Sequence, residues 1–289
     1  MPGSVQGAPG DGYSYRDCGL GDSSVFYIAD VISYFLQKSS RHRRGSAMQE
    51  YSSGDWMDYV MDWRGDPHPV MEDTKNEIGV VAGVLDALCT MGFISGTSYD
   101  QQLFLDHREA VKERFDIPWT GISPRMQRLL YAINAIGKPR TMVAMGVFCG
   151  NTFISNAGAA IGPGACYTAE RLVGIEIKAA EAERARKNVA AIDSEAIAEI
   201  VAADGVAWFK AFRGMIDLLY IDADGSYLQI IEEAAQGRLG PQSLVLAHNS
   251  INLKHELKDY LLYVRNPSHS LKSINIMIDD QGLEVTRWQ

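Results

Sequence analysis

Along residues 124–137 apolar side chains return every three or four positions as Met126, Leu129, Leu130, Ile133 and Ile136, behind Ser123-Pro124 and ahead of Gly137. Serine supplies an N-cap oxygen, proline suits the first helical turn and glycine ends the run, so the spacing predicts an amphipathic helix. Beyond it the period changes. Short apolar runs at 141–145, 171–177, 198–202, 216–221 and 243–247 read as buried strands, with helical patterns at 152–161, 179–192, 206–212 and 227–236 between them. Such alternation requires right-handed crossovers and a parallel sheet, an α/β class. The chain closes on a helix at 253–264 and strands at 273–278 and 283–288. Asp279-Asp280-Gln281-Gly282 joins these strands, a hairpin signal that turns the last one antiparallel.

Upstream the pattern is helical throughout. Val25, Phe26, Ile28, Ala29, Ile32, Phe35 and Leu36 predict a helix at 25–37, and Ile78, Val81, Leu85 and Leu88 a second at 74–91. A third is expected at 99–115, and the Trp-, Asp- and Pro-rich stretch 56–70 is an irregular connection. Residues 1–22, rich in Gly, Ser, Pro and Asp, cannot bury enough apolar surface to offset ordering and are expected to be flexible. This divides the chain into a lead-in (1–22), a smaller, wholly helical N-terminal domain (23–117) and an α/β domain (118–289). The helices would form a lid or a homodimer interface, and the pattern does not choose between them.

Composition narrows the classes of function. A net charge of -9 repels phosphate backbones, and the one basic cluster, Lys38 to Arg44, reads as a solvated helix end, so nucleic acid is a poor partner. No stretch approaches the roughly 20 apolar residues that cross a bilayer. No membrane role and a cytoplasmic location are the expectation, with a small-molecule partner. The four cysteines, Cys18, Cys89, Cys149 and Cys166, form no CxxC pair and read as reduced thiols.

Candidate chemistry lies where strands end. Gly146 and Gly150, in Met145-Gly146-Val147-Phe148-Cys149-Gly150-Asn151-Thr152, occupy a strand-to-helix turn, where a missing Cβ lets a ligand approach backbone N–H groups. A tight turn with close helix packing explains the same glycines. Glu176 ends the next strand, where a carboxylate accepts from both hydroxyls of a ribose or else caps the following helix. Asp204-Gly205 follows the third strand, fit to receive an adenine amino group or simply to make a turn. Asp222 and Asp224 close the fourth strand, at the edge where open α/β sheets bind ligands.

Over residues 119–288 the chain resembles the class I S-adenosylmethionine-dependent O-methyltransferases, most closely those of the catechol and caffeoyl-CoA type. Gly146 to Thr152 is similar to that family's glycine-rich motif, Asp222-Ala223-Asp224-Gly225-Ser226-Tyr227 to its Asp-Ala-Asp-Lys-x-x-Tyr motif, and the final hairpin to its closing strands. The resemblance implies a Rossmann-like methyltransferase sheet. It implies that Gly146, Phe148, Gly150, Thr152, Glu176, Asp204, Gly205 and Asp222 bind S-adenosylmethionine. It also implies that Asp222, His248 and Asn249 occupy the places of a divalent-metal site.

Three departures bear on this. Ala144 stands where an acidic residue is usual, and Gly225 where many members carry a basic residue, so His248 or Asp224 would take the acceptor's proton, with Asp222 beside them. His248 in place of a metal-binding aspartate removes a negative charge, which turns the site toward a transition metal or leaves it without one. The expected activity is methylation of a small-molecule hydroxyl, or else an amine, compatible with secondary metabolism. A methyltransferase-like scaffold protein and a nicotinamide-dependent dehydrogenase are the rivals, the latter weakened by the lack of GxGxxG.

Overall fold

The computed structural model describes residues 49–289, apart from residue 63, so the expectations for 1–22, 25–37 and 38–44 lie outside the described residues. Among the described residues eight strands form one sheet in the order β1-β7-β8-β6-β5-β2-β3-β4. The strands β2 (Thr141–Met145), β3 (Arg171–Glu176), β4 (Ala198–Ala202), β5 (Leu218–Ile221) and β6 (Leu244–His248) pair in parallel. β7 (Ser270–Met277) and β8 (Leu283–Trp288) form the expected hairpin, and β8 runs antiparallel to both of its neighbours. The alternating α/β reading of 118–289 therefore holds.

Side chains of successive strand residues point to opposite faces, and two cores result. Met142 and Ala144 join one with Leu172, Tyr220 and Leu246, while Val143 and Met145 join the other with Val173, Ile175, Leu219 and Val245. Helices α1 (Thr74–Thr90), α2 (Gln101–Arg114), α3 (Pro124–Gly137), α4 (Asn151–Ala157) and α5 (Ala179–Ala190) contribute to the first core. Helices α6 (Gly205–Ala211), α7 (Tyr227–Ala234) and α8 (Lys258–Val264) contribute to the second.

Several boundaries moved. The N-terminal part is not wholly helical: β1 (Glu50–Ser52) adds to the sheet edge in parallel with β7, pairing Tyr51 with Ile276. Three residues carry no readable period, and the free edge of β7 recruits them. The helix expected at 152–161 stops at Ala157, where a Cβ on Gly158 would lie 2.2 Å from the His107 ring. The helix expected from 253 begins at Lys258, after a series of turns.

Helix α3 is buried nearly all round rather than on one stripe, Arg125 and Arg128 included. Each guanidinium has carboxylates to meet it. Arg128 Nε lies 2.6 Å from Glu77 Oε1, which Arg108 also holds at 2.7 Å. Arg125 binds Glu72 at 2.6 Å and Asp55 at 2.9 Å, and stacks 3.8 Å over the Tyr59 ring. Buried charge survives only when paired in this way. The Arg125 pairs tie Asp55 and Glu72, near the two ends of the irregular stretch, to α3.

Candidate functional site

Sheet hydrogen bonding continues past the last residues of the central strands, and this builds the site. Gly146 N–H donates to Ile175 O at 2.9 Å and Asp222 N–H to Met145 O at 2.8 Å. The Asp222 backbone is thereby drawn against Gly146, whose φ is +78°, and a Cβ there would lie 1.9 Å from Asp222 O. The turn then takes Phe148 (φ +48°) and Gly150 (φ +92°) through the left-handed region, which glycine enters freely and phenylalanine only under constraint.

Part of that constraint comes from Glu176. Its Oε2 accepts the Phe148 N–H at 2.8 Å and its Oε1 accepts the Lys178 N–H at 2.9 Å. The carboxylate is 7% exposed and held at both oxygens, with a lone pair on each still available. It does not cap the next helix, whose N-cap is Lys178. Asp204 does cap: its side chain accepts the Ala207 N–H at 2.8 Å, so the turn reading applies to it while it still faces the cavity.

Those residues surround a cavity of about 710 Å³ at the carboxyl ends of the strands, within the range of small-molecule sites. Gly146, Phe148, Thr152, Glu176, Asp204, Gly205, Asp222, Asp224, His248 and Asn249 all line it. Gly150 does not. A Cβ on it would meet Ala185 Cα at 3.3 Å, so its role is helix packing, the structural alternative open from the sequence.

At the opposite wall His248, 1% exposed, places Nδ1 3.3 Å from Asp222 Oδ2, and the Tyr227 hydroxyl lies 3.5 Å from Asp222 Oδ1. Burial opposes the charged imidazole, but the Asp222 carboxylate, together with Asp279 and a Gln281 hydrogen bond, outweighs it and raises the His248 pKa. A native pKa raised above the unfolded value, about 6.5, contributes stability that is complete below that value and is lost as pH rises through the native one. The stability advantage of the parent over Asp222→Asn should therefore be larger at pH 5.5 than at pH 9, read from urea midpoints. An equal gap at both would show that the pair is not coupled.

Comparison with family models and with curated protein sequences gives no match. Solved structures do match. An SAH-bound methyltransferase from Podospora anserina aligns over 78% of this chain and 99% of its own, with a TM-score of 0.51 at 16% identity. A protein described as a candidate caffeoyl-CoA O-methyltransferase from Staphylococcus aureus aligns over 74% and 100%, with a TM-score of 0.51 at 15% identity. The mostly parallel sheet with antiparallel closing strands is the architecture shared with these structures. The fold is the Rossmann-like methyltransferase fold.

Within that fold, the three positions expected for a metal do not suit a hard divalent cation. Such an ion needs several oxygen donors. Here Asp222 is engaged by His248 and Tyr227, the imidazole nitrogen facing it is at hydrogen-bonding distance, and the Asn249 amide donates to Asn252 Oδ1 at 3.1 Å. Among the described residues no three His, Cys, Asp or Glu side chains gather into a metal-holding group.

Other wall residues escaped the sequence reading. Trp119, 42% exposed, lies against Phe148 with ring centroids 4.6 Å apart. Val60 and Met61 come from the stretch pinned by Arg125, and Asp280 and Gln281 from the β7–β8 turn. That turn had been legible only as a hairpin. Its Asp279 accepts from the N–H groups of Gln281 (3.1 Å) and Gly282 (3.0 Å) and from the Ser123 hydroxyl, which fixes it beside the cavity. An Asp-Asp-Gln-Gly turn carries no sign of which face it presents.

Proposed function

We propose that this chain is an S-adenosylmethionine-dependent methyltransferase acting on a small-molecule hydroxyl or, failing that, an amine. The observation that carries the reading is Glu176: a carboxylate locked by two backbone N–H groups in the wall of a cavity, with a lone pair left on each oxygen that would suit a vicinal diol. Gly146 brings bare backbone to the same wall, Phe148 and Thr152 flank it, and Asp204 with Gly205 closes the far side at the start of α6. This set fits an adenosyl group.

The cofactor would supply a sulfonium methyl that is already electrophilic. What remains for the protein is alignment and exclusion of water. Trp119 and Met61 cover the cavity from one side, and Asp222 holds His248 in a fixed orientation, where the imidazole can take up the acceptor's proton. Asp224, exposed at the rim, is the weaker candidate for that role. The placement of Ala144 in the core, fully buried on β2, is consistent with a turn that depends on Glu176 rather than on a second carboxylate.

Titration of the purified chain with S-adenosylhomocysteine and, separately, with NAD tests this. Binding of S-adenosylhomocysteine is expected. Binding of NAD alone would favour a dehydrogenase, and binding of neither would favour a scaffold that has kept only the fold.

A further inference from the structure

Val60 and Met61 reach the cavity on a loop rather than on a strand or helix, and one side chain closes the neck of that loop. The Arg125 guanidinium meets Asp55 through Nη1 (3.0 Å) and Nη2 (2.9 Å), and Glu72 through Nε (2.6 Å) and Nη2 (2.7 Å). Two carboxylates far apart in the chain are thereby held side by side, as at the joined ends of an Ω-loop. Nη1 also donates to Ile278 O at 3.2 Å, next to the end of β7, so the neck is fastened to the sheet as well. Paired, charge-assisted bonds to a buried guanidinium make a strong tie.

Past the neck the loop is held lightly. Among its described residues the backbone–backbone hydrogen bonds are all local: Asp58 N–H to Asp55 O, Tyr59 N–H to Trp56 O and Gly65 N–H to Asp62 O. From Asp58 to Asp62 the side chains alternate as on a strand, Tyr59 and Met61 buried and Asp58, Val60 and Asp62 exposed, yet among the described residues no strand pairs with them. Tyr59 rests on Arg125, and the Met61 N–H donates to the Asp280 carboxylate across the cavity wall. Val60, exposed although it lines the cavity, marks the mouth. A segment with so few bonds to the rest of the backbone opens well before the sheet does.

We propose that residues 56–62 are a hinged cover of the cavity: the Arg125 clasp keeps the neck in place while Tyr59 lifts from the guanidinium, the Met61–Asp280 contact breaks, and ligands pass. The inference rests on the methyltransferase reading for the ligand and concerns access to that site. Methyl transfer needs water excluded once the cofactor is bound, and a cover that shuts over it supplies that. The cover lies upstream of residues 119–288, which carry the family resemblance.

Stopped-flow mixing of the full chain with S-adenosylhomocysteine, followed by tryptophan fluorescence, measures entry and exit. Asp55→Ala loosens the neck at a half-exposed side chain, and Tyr59→Leu removes the contact with Arg125 while keeping an apolar group in place. Neither residue lines the cavity. Each contact is lost equally in the free and bound states, so association and dissociation should both quicken by about 5-fold or more while the dissociation constant changes by less than about 2-fold. In the parent, the observed association rate should level off at high ligand concentration, where opening becomes limiting. Unchanged rates in the folded variants, or faster dissociation alone with a matching loss of affinity, would show a fixed wall and overturn the cover. A parent rate that rises linearly throughout would also overturn it, and that arm decides even if neither variant folds. Failure of S-adenosylhomocysteine to bind at all would instead remove the methyltransferase reading, and the cover with it.

Discussion

Gly146→Ala is expected to lower the melting temperature by about 5–10 °C and to remove measurable S-adenosylhomocysteine binding. Two costs combine. A left-handed φ of +78° is penalised by about 1–2 kcal/mol in any residue with a Cβ. That Cβ would also lie 1.9 Å from Asp222 O, a backbone atom held by its own N–H bond to Met145 O, so relief requires moving β5 relative to β2. Overpacking of this kind adds about 1–3 kcal/mol, and in a domain of this size each kcal/mol shifts the midpoint by about 2–4 °C. Thermal melts and titration check both parts. Unchanged melting and binding would mean that Asp222 does not lie against the turn.

The second large effect is on Glu176. Glu176→Ala should weaken S-adenosylhomocysteine binding by about 100-fold, since two hydrogen bonds to a carboxylate are each worth about 1.5 kcal/mol or more. The substitution also strands the Phe148 and Lys178 N–H groups, which the carboxylate accepts at 2.8 and 2.9 Å. The turn should loosen, and Phe148, in its left-handed conformation, is the residue expected to relax. Calorimetric titration measures the affinity, and a parallel melt separates lost contacts from lost fold. An affinity equal to that of the parent would remove Glu176 from the site and with it the main support for an adenosyl ligand.

The local pattern carried the alternation of elements far. Strand and helix periods are set by neighbours a few residues apart, so β2 to β6 and the helices between them were readable, as were Gly146 and the carboxylates at strand ends. Gly150 was readable as a glycine that had to be there, but not as one that serves packing against Ala185 instead of a ligand. Both roles ask for the same missing side chain.

What the order of residues could determine on its own was periodicity, turn chemistry and the carboxyl-end position of Glu176, Asp204 and Asp222, because each depends on covalent neighbours. What the tertiary structure alone decided was which distant groups meet. Arg125 and Arg128 read as the polar face of a helix until Glu72, Asp55 and Glu77 were brought to them, and β1 had no pattern until β7 offered an edge. Trp119, Met61, Asp280 and Gln281 became one wall only when the loops that carry them closed over the sheet. Charge pairing, edge pairing and cavity walls are properties of separations in space, and sequence spacing does not encode those until the chain has folded back on itself.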